Sequence, residues 1–444
     1  MNLSDIIESV ALKTLKKVDL PDRGSNQHEI GGVRALLNFF AVGVHDNSKV
    51  LLRIRNGTIH LLEVFSEITK IRDRFYLLRD EYEPEGEGTE LKIRGRIQWR
   101  YLREEYETEG EEGEFTFYDA REKNPYRSRE WRLYYTGDFL SRAEEGDTLA
   151  LVRMRSGDIY GLLVEQNSSL ERALTSLFSA FETKKNQISL IPGKDLEGRE
   201  LGFAERLILE SLGINVLLEP EATDEDIVVE RFGQEFPPTR DMSALARELS
   251  EGDPIKSPDE MLVRWLQREE ELFRALERVI VSERLEKGFD SVDDFLSFSL
   301  SVQNRRKSRM GYALQNHLSA LFEAHRLQFE TQATTEEKNR PDFLFPGSAA
   351  YHDPGFPDSK LRMLGAKSTC KERWRQVLTE ADRIAHKHLC TLDPGISENQ
   401  TNEMSRQHLT LVLPAPLHRY YTTTQRRDFL TLEEFIGEVR TLQT

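Results

Sequence analysis

Apolar residues follow two different spacings along this chain, and the change between them falls near residue 165. Up to that point they form short, partly alternating runs separated by Gly, Asn and Asp, which is typical of β-strands. The runs are LLRIRNGTIHLLEVF, TELKIRGRIQW, EFTFYDA, WRLYYTG and DTLALVRM. The opening residues, MNLSDIIESVALKTLKK, instead predict a short amphipathic helix. We therefore expect residues 1–165 to form a small β barrel or sandwich.

Helical spacing begins at about residue 166. SSLERALTSLFSAFE has this spacing, and PDEMLVRWLQREEELFRALERVIVSERLEKG shows it again behind a Ser-Pro-Asp start, which is a signal for a helix N-terminus. The stretch GINVLLEPEATDEDIVVERFGQEFPPTRD between them is rich in acid and proline, which indicates a linker. We expect a helical and linker segment at residues 166–240 and a further domain at residues 241–444.

Helices and strands alternate after about residue 290. The predicted helices are SVDDFLSFSLSV, MGYALQNHLSALFEAH, KERWRQVLTEADRIAHK and TLEEFIGEVRTLQ, and the predicted strands are RPDFLFPG, LRMLGAKST and HLTLVLP. Such alternation predicts a mixed sheet flanked by helices. The expected fold class is therefore multidomain, with an N-terminal β domain and a C-terminal α/β domain.

The composition agrees with a protein of several domains that works in water. The 444 residues exceed what one hydrophobic core usually organises. No apolar run is long enough to span a bilayer, and the N-terminus lacks the apolar stretch of a secretory signal, so we expect a cytoplasmic protein without a membrane partner. Cys370 and Cys390 are too few for a disulfide framework or a structural zinc site.

The formal net charge of −16 at first argues against a nucleic-acid partner, because Lys and Arg supply most of the affinity for phosphate. Much of the acid is clustered, however, in residues 81–90 and 104–114, whereas Lys and Arg outnumber Asp and Glu in residues 301–380. A basic working surface within an acidic protein is therefore compatible with DNA binding.

Two residues at predicted strand ends suit phosphodiester hydrolysis. Asp342 opens one strand and Lys367 ends the next, so both can reach the same edge of a sheet. Magnesium prefers carboxylate, water and phosphate oxygens, and a cation beside the attacking water assists the reaction. Nucleases with the PD…(D/E)xK pattern carry a second acid two residues before the lysine, where this chain has Gly365. Glu380, on the next predicted helix, could fill the volume left there, as in the PD…Kx12E variant of that pattern.

The segment from RRKSRMGYALQNHL to KERWRQVLTEADRI resembles the catalytic domain of EcoRII-type restriction endonucleases, and the similarity runs from about residue 258 to the C-terminus. The resemblance implies a PD-(D/E)xK nuclease fold with magnesium bound by Asp342 and Glu380. It also implies that Lys367 orients the attacking water and that Lys371 lies at the rim of the active site.

The same resemblance implies a DNA-reading triplet, Lys371, Glu372 and Arg373, that recognises CC and GG halves of a palindrome. Basic side chains can donate to guanine O6 and N7, and a glutamate can accept from cytosine N4. One position departs from the family: many relatives carry a glutamate near the metal on the first helix, and this chain has Gln315 there.

The N-terminal half resembles, less closely, the DNA-binding pseudobarrel of some EcoRII-type enzymes and of plant auxin-response factors. The similarity lies in KKVDLPDRGSNQHEIGG, FYDAREKNPYRSREWRLYY and GDTLALVRM. That fold grips DNA with two arms. The residues expected to contact DNA are Arg23, Ser25, Asn26, Gln27 and His28 in the first arm, and Arg127, Arg129 and Arg132 in the second.

Together these features predict a magnesium-dependent Type II restriction endonuclease that cuts double-stranded DNA at a CCNGG or CCWGG type of palindrome. A second copy of the site, bound by the pseudobarrel, would act as an allosteric effector. Two symmetric cuts favour a homodimer, with a monomer as the alternative. The competing functions are a modification-dependent nuclease that reads methylated cytosine and a non-catalytic DNA-binding regulator, which Gln315 supports. A covalent role for Tyr351 and a metal role for His386 and His388 are less favoured.

Overall fold

The structure, a computed structural model, describes residues 2–21, 28–40, 49–55, 58–65, 76–79, 92–102, 109–121, 126–128, 130–178, 188–199, 201–214, 222–370 and 373–444. The chain divides into two units. One comprises Met1–Leu201 and Ile208–Asn215, and the other comprises Gly202–Leu207 and Val216–Thr444. The segment predicted at residues 166–240 is thus shared between both units, and helix α4 (Phe203–Ser211) contributes residues to each.

The N-terminal unit is built mainly of strands, as the short apolar runs predict. Its helices are α1 (Leu3–Ile6), α2 (Leu36–Phe40) and α3 (Ser169–Leu177). Its strands are β1 (Ile7–Thr14), β2 (Glu29–Ile30), β3 (Lys49–Arg55), β4 (Thr58–Phe65), β5 (Tyr76–Arg79), β6 (Lys92–Leu102), β7 (Glu109–Asp119), β8 (Trp131–Tyr135), β9 (Thr148–Met154), β10 (Ile159–Val164) and β11 (Ser189–Pro192).

Among the described strands of this unit, eight form a mixed sheet in the order β11-β1-β9-β10-β6-β7-β8-β2, and three form a second sheet in the order β4-β3-β5. In the larger sheet β10 pairs with β6 in parallel and the other neighbours are antiparallel. Strands β9 and β10 are buried along their whole length, whereas β8 alternates between buried and more exposed residues. One side of β8 therefore faces the core.

The opening stretch is a strand rather than the predicted helix. Only Leu3–Ile6 is helical, and Ile7–Thr14 continues as β1 between β9 and β11. Its residues Ile7, Val10, Ala11 and Leu12 are all buried. Short apolar runs of this kind suit either a helix or a strand, and here pairing on both edges decides the outcome.

The C-terminal unit has the predicted mixed sheet flanked by helices. Its helices are α5 (Ala222–Phe232), α6 (Thr239–Glu248), α7 (Pro258–Lys287), α8 (Val292–Ala324), α9 (Ser348–His352), α10 (Trp374–Val377), α11 (Glu398–Arg406), α12 (Thr423–Arg426) and α13 (Leu432–Gln443). Its strands are β12 (Glu330–Thr331), β13 (Phe343–Phe345), β14 (Arg362–Lys367), β15 (Lys387–Thr391) and β16 (Leu409–Val412), and they lie in that order in the sheet.

Strands β12, β13 and β14 are antiparallel, and β14, β15 and β16 are parallel. The sheet packs on α8 and α13 through an aromatic cluster of Phe322, Phe343, Phe345 and Phe435, with ring centroids about 5–6 Å apart. These aromatic contacts fix the sheet against α8, which also carries Gln315.

Three sequence predictions for this unit need correction. The two helices predicted from residue 291 are one continuous helix, α8, because no helix-breaking residue interrupts NRRKSR between them. The predicted linker contains α5 and the start of α6. The helix predicted over residues 371–387 is confined to Trp374–Val377, and Lys387 begins a strand that the apolar pattern did not reveal.

Within the described parts of the chain, every helix is too short or too polar to cross a membrane.

Candidate active site

The carboxylate of Asp342 is fixed at the start of β13 by hydrogen bonds to both of its oxygens. Oδ2 accepts from the backbone N–H of Ala366 (2.7 Å) and from Nζ of Lys367 (3.0 Å). Oδ1 accepts from the side-chain amides of Gln315 (2.7 Å) and Gln332 (2.9 Å). The side chain is only 6% exposed, so these four donors stabilise a negative charge that would otherwise be costly to bury.

Lys367 stands beside Asp342 because of the antiparallel register of β13 and β14, in which Phe343 pairs with Leu364. Strand β14 then continues to Lys367, and the ammonium group remains 22% exposed while it contacts Asp342. A cation that is held by a buried carboxylate and still reaches solvent can contact a water molecule or a phosphate. The structure thus joins the two residues that the sequence placed at neighbouring strand ends.

Glu380 interacts electrostatically with Asp342 and Lys367, and it lies in a turn, not in a helix. Helix α10 ends at Val377, and Ala381 has a positive φ of 52°, which stops helical continuation directly after the glutamate. The expectation that Glu380 fills the volume beside Gly365 is also wrong. A Cβ at position 365 would lie 2.9 Å from Cγ2 of Val377, so this valine occupies that volume and α10 packs closely on β14.

The Glu380 carboxyl is less well compensated than that of Asp342. Burial, together with the nearby Asp342 charge, raises its pKa to about 7, and Lys367 and Lys387 act in the opposite direction. Among the described residues none donates a hydrogen bond to its buried Oε2. A buried carboxylate oxygen that lacks a donor is suited to bind a cation.

The donor set fits a magnesium ion. Magnesium is commonly held by one or two carboxylates together with waters and substrate phosphate, so Asp342 and Glu380 suffice on the protein side. In the described parts of the chain no group of three or more His, Cys, Asp and Glu side chains is placed to hold a metal.

The predicted recognition triplet, residues 371–373, is described only in part. Lys371 and Glu372 lie outside the described residues, and the predictions for them stay predictions. Arg373 is exposed directly before α10, on the segment that leads from β14 to Glu380. The preceding residue that is described, Cys370, is buried and its N–H donates to Asp393 (2.9 Å). The triplet therefore begins next to an anchored backbone position close in sequence to the site.

Tyr351, considered above as a nucleophile, is fully buried. Its hydroxyl lies 2.6 Å and 2.8 Å from the two carboxylate oxygens of Glu336, and it accepts from the N–H of Arg383 (3.1 Å). Burial and Glu336 raise the pKa of Tyr351 above its usual value. These contacts give Tyr351 a structural role. His386 donates to or accepts from Thr410 Oγ1 (2.7 Å) and, like His388, belongs to no metal-binding cluster of the described residues.

The predicted DNA contacts of the N-terminal unit are only partly described. Arg23, Ser25, Asn26, Gln27 and Arg129 lie outside the described residues. His28 packs edge-on against the ring of Tyr135, and its carbonyl accepts from the Tyr135 N–H (3.0 Å). Arg127 is exposed. Arg132 forms ion pairs with Glu29 (2.7 Å) and Glu130 (2.9 Å), so its charge is largely balanced within the protein.

Two residues that position the site were not identified from the sequence. Gln332 donates to Asp342 from a polar loop, and its backbone has a positive φ of 54°, which the sequence does not reveal. Lys387 donates to the backbone carbonyl of Glu380 (2.6 Å). The sequence feature that could have identified Lys387 is its position directly before the apolar run HLCTL.

Part of this chain is similar in sequence to known proteins. Residues 273–436 match the protein-family model described as EcoRII C terminal, and this span includes Asp342, Lys367 and Glu380. Residues 273–436 of the C-terminal unit are therefore similar to the EcoRII C-terminal family. The Type II restriction enzyme EcoRII of Escherichia coli is 48% identical to this chain over 183 residues, which are 41% of this chain and 45% of that enzyme. The match thus spans less than half the length of that relative.

Two solved structures are also similar in part. One is described as metal-depleted Ecl18kI in complex with uncleaved, modified DNA, with a TM-score of 0.40 and 18% identity over 50% of this chain and 85% of that chain. The other is described as a complex of the restriction endonuclease PspGI with substrate DNA, with a TM-score of 0.38 and 15% identity over 51% of this chain and 98% of that chain.

Proposed function

We propose that this protein is a Type II restriction endonuclease of the cytoplasm that hydrolyses double-stranded DNA with magnesium. The proposal rests on the ion pair between Asp342 and Lys367 and on the electrostatic interaction of Glu380 with both, within residues that match the EcoRII C-terminal family model. Two carboxylates and one ammonium group at the edge of a sheet form a donor set for phosphodiester hydrolysis.

The roles of the three residues follow from their surroundings. Asp342 and Glu380 would hold the magnesium ion, which when bound polarises the phosphate and lowers the pKa of its water ligands. Lys367 is fixed by Asp342 and still reaches solvent, so it can hold the attacking water and stabilise charge on the phosphate. Water then forms a bond to phosphorus, the bond from phosphorus to the 3′ oxygen breaks, and the products carry a 5′-phosphate and a 3′-hydroxyl.

We further propose that Lys371, Glu372 and Arg373 read a CCNGG or CCWGG type of palindrome and that Lys371 also borders the reacting phosphate. Recognition of two symmetric half-sites favours a homodimer. The N-terminal unit would act as a pseudobarrel that binds a second copy of the site as an effector, through residues 23–28 and the exposed Arg127. Arg132 would reach DNA only if it left Glu29 and Glu130.

A cleavage assay tests the proposal. Plasmids with and without CCNGG-type sites, each methylated and unmethylated, are incubated with the protein in Mg²⁺ or EDTA, beside the variant Lys367→Ala. We expect discrete fragments from site-containing plasmid in Mg²⁺ and none with the variant. No fragments from any plasmid would contradict a nuclease function and support a DNA-binding regulator. Fragments from methylated plasmid alone would instead identify a modification-dependent nuclease.

A second measurement addresses the effector. Cleavage of a one-site plasmid is followed while an uncleaved oligonucleotide duplex that contains the site is added. Acceleration by this duplex, but not by a duplex of scrambled sequence, is the expected result of a coupled second DNA site. Cleavage that is independent of added duplex would contradict the allosteric part of the proposal and leave the nuclease part unaffected.

A further inference from the structure

Lys387 is a buried lysine whose side chain forms hydrogen bonds to the backbone of one turn. It opens strand β15 and is 7% exposed. Its ammonium group donates to the backbone carbonyls of Glu380 (2.6 Å), Ala381 (3.0 Å) and Ile384 (3.0 Å). An ammonium group has three N–H donors, so these carbonyls can use all of its hydrogen-bonding capacity.

The turn that Lys387 binds, residues 379–384, carries Glu380 into the active site. Side chains from other segments also form hydrogen bonds to the backbone of this turn. The carbonyl of Thr379 accepts from the side chain of Asn339 (2.8 Å). The N–H groups of Asp382 and Arg383 donate to Glu336 (3.1 Å) and to the Tyr351 hydroxyl (3.1 Å). At Glu380 itself, the N–H donates to the carbonyl of Val377 (3.2 Å), and Lys387 is the side chain that binds the carbonyl.

We propose that Lys387 is a positioning residue that sets the location of the Glu380 carboxylate for metal binding. The proposal rests on the proposed nuclease function. Without the ammonium group, the carbonyls of Glu380 and Ile384 would lose this donor, whereas that of Ala381 would keep the N–H of Ile384 (2.9 Å). Regaining the lost hydrogen bonds would require the turn to move. Glu380 would move with it, because its own carbonyl is one of the two. Groups that orient metal ligands typically change metal affinity or activity by about 10- to 100-fold.

The side chain of Lys387 can be removed without removing the strand. The strand is held by backbone pairing, in which Lys387 lies opposite Leu409 and its N–H donates to the carbonyl of His408 (2.9 Å). Any residue except proline can make that bond. The effect of a side-chain change should therefore concentrate on the turn and leave the fold and the DNA-binding surface in place.

The experiment compares Lys387→Met, which keeps the aliphatic length and removes the donors, with Lys360→Met at an exposed position. Single-turnover cleavage is measured against Mg²⁺ concentration, and DNA affinity is measured without divalent metal. For Lys387→Met we expect the Mg²⁺ concentration at half-maximal rate to rise about 10- to 100-fold. DNA affinity should stay within about twofold of the unaltered protein, and Lys360→Met should match the unaltered protein in both measurements. An unchanged Mg²⁺ dependence would overturn the proposal, and so would parallel losses of DNA affinity and cleavage.

Hydrogen exchange provides a readout that does not require cleavage. In Lys387→Met the amides of residues 379–384 should exchange faster, while those of β14 should remain protected. If the unaltered protein fails to cleave any DNA, the nuclease proposal fails, and this comparison still decides whether Lys387 holds the turn. Unchanged exchange in residues 379–384 would overturn the role of Lys387.

A milder variant covers the case in which Lys387→Met does not fold. Asn339→Ala removes one bond to the other side of the same turn. We expect it to raise the Mg²⁺ requirement in the same direction by a smaller factor, on the order of a few-fold. A normal Mg²⁺ requirement in Asn339→Ala, together with unchanged exchange of the turn, would contradict the inference that the turn sets metal binding.

Discussion

The proposed active site has two halves that the chain builds in different ways. Asp342 and Lys367 belong to neighbouring strands, and the sheet fixes their relative position through backbone pairing. Glu380 lies on a turn that is held by side chains from elsewhere in the domain. The Asp342 carboxylate accepts four hydrogen bonds from described residues, whereas Glu380 has a buried oxygen without a donor among them and a pKa raised to about 7.

This difference shows what moving an acid from a strand to a turn requires. With glycine at position 365, Val377 packs against β14, and the chain can return through the turn to place Glu380 near Asp342. The turn lies outside the paired strands, so it needs side-chain partners of its own, such as Asn339 and Lys387. We therefore expect the strand half to tolerate loss of a supporting contact better than the turn half.

Loss of the Lys367 charge should have the largest effect. Lys367→Met removes the cation beside the reacting phosphate and leaves the strand intact, so cleavage should fall by on the order of 10³-fold. The measurement is the single-turnover cleavage rate at saturating Mg²⁺. Lys360→Met serves as the matched control at an exposed position, and cleavage by Lys367→Met within tenfold of the unaltered protein would contradict the assigned role.

Glu380→Gln should reduce cleavage by on the order of 10²-fold and also stabilise the metal-free protein. The folded-state pKa of Glu380, about 7, exceeds the ordinary value of 4.5, so the folded protein holds this proton more tightly than the unfolded chain does. The unaltered protein therefore loses stability as the pH rises from about 4.5 to 7, by up to about 3 kcal/mol. An amide carries no charge and avoids this loss.

The stability of both proteins is compared by denaturant unfolding in EDTA. Glu380→Gln should be more stable than the unaltered protein at pH 8, and the two should converge near pH 5, where the carboxyl is protonated in the folded state. Added Mg²⁺ should raise the melting temperature of the unaltered protein more than that of the variant. Equal stability at pH 8 would show that the carboxylate is not destabilising in the metal-free site.

The two halves of the site also differ in how well the sequence predicts them. Asp342 and Lys367 flank apolar runs, FLF and RMLGA, that are recognisable as strands, so their position at one sheet edge follows from local pattern. The residues around Glu380 are good helix formers, and the predicted helix was wrong there. The turn depends on Asn339 and Lys387, which lie 41 residues before and 7 residues after Glu380 and leave no periodic signal.

The other predictions of helices and strands succeeded or failed for similar reasons. The long helix α7 was predicted because Pro258 at its first turn and Gly288 after its end mark both boundaries. The opening strand β1 was predicted as a helix because its apolar residues suit both structures, and only pairing with β9 and β11 decides between them. Lys371 and Glu372 remain predictions from resemblance alone.

Gly365→Ala tests whether the close approach of α10 matters. The new Cβ would lie 2.9 Å and 3.3 Å from the two methyl groups of Val377, so the helix must shift. We expect a loss of about 1–3 kcal/mol of stability from overpacking and a fall in cleavage of about tenfold, since a shift of α10 displaces the turn that follows it. The measurements are denaturant unfolding and single-turnover cleavage.

The double variant Gly365→Ala/Val377→Ala is the control, because it removes the two methyl groups that the new Cβ meets. We expect it to recover part of the lost cleavage relative to Gly365→Ala. Val377→Ala alone should lower stability through the cavity it leaves. If the double variant cleaves no better than Gly365→Ala, steric contact between the strand and α10 is not the cause of the defect.

The smallest effect is expected from Gln332→Ala, which removes one of the donors to Asp342. Gln315 donates to the same oxygen from the long helix α8, so the carboxylate should stay in place. A loss of about 1 kcal/mol corresponds to a fall in cleavage of about fivefold. Gln315→Ala should behave similarly when introduced alone, because Gln332 remains.

The double variant Gln315→Ala/Gln332→Ala shows whether the two amides replace each other. Removal of both leaves Oδ1 of Asp342, a largely buried oxygen, without either amide donor. Its cleavage should therefore fall by more than the product of the two single effects. A strictly multiplicative result would mean that each amide acts independently. In that case neither amide would compensate for loss of the other. The strand half of the site would then be as sensitive to the loss of one contact as the turn that carries Glu380.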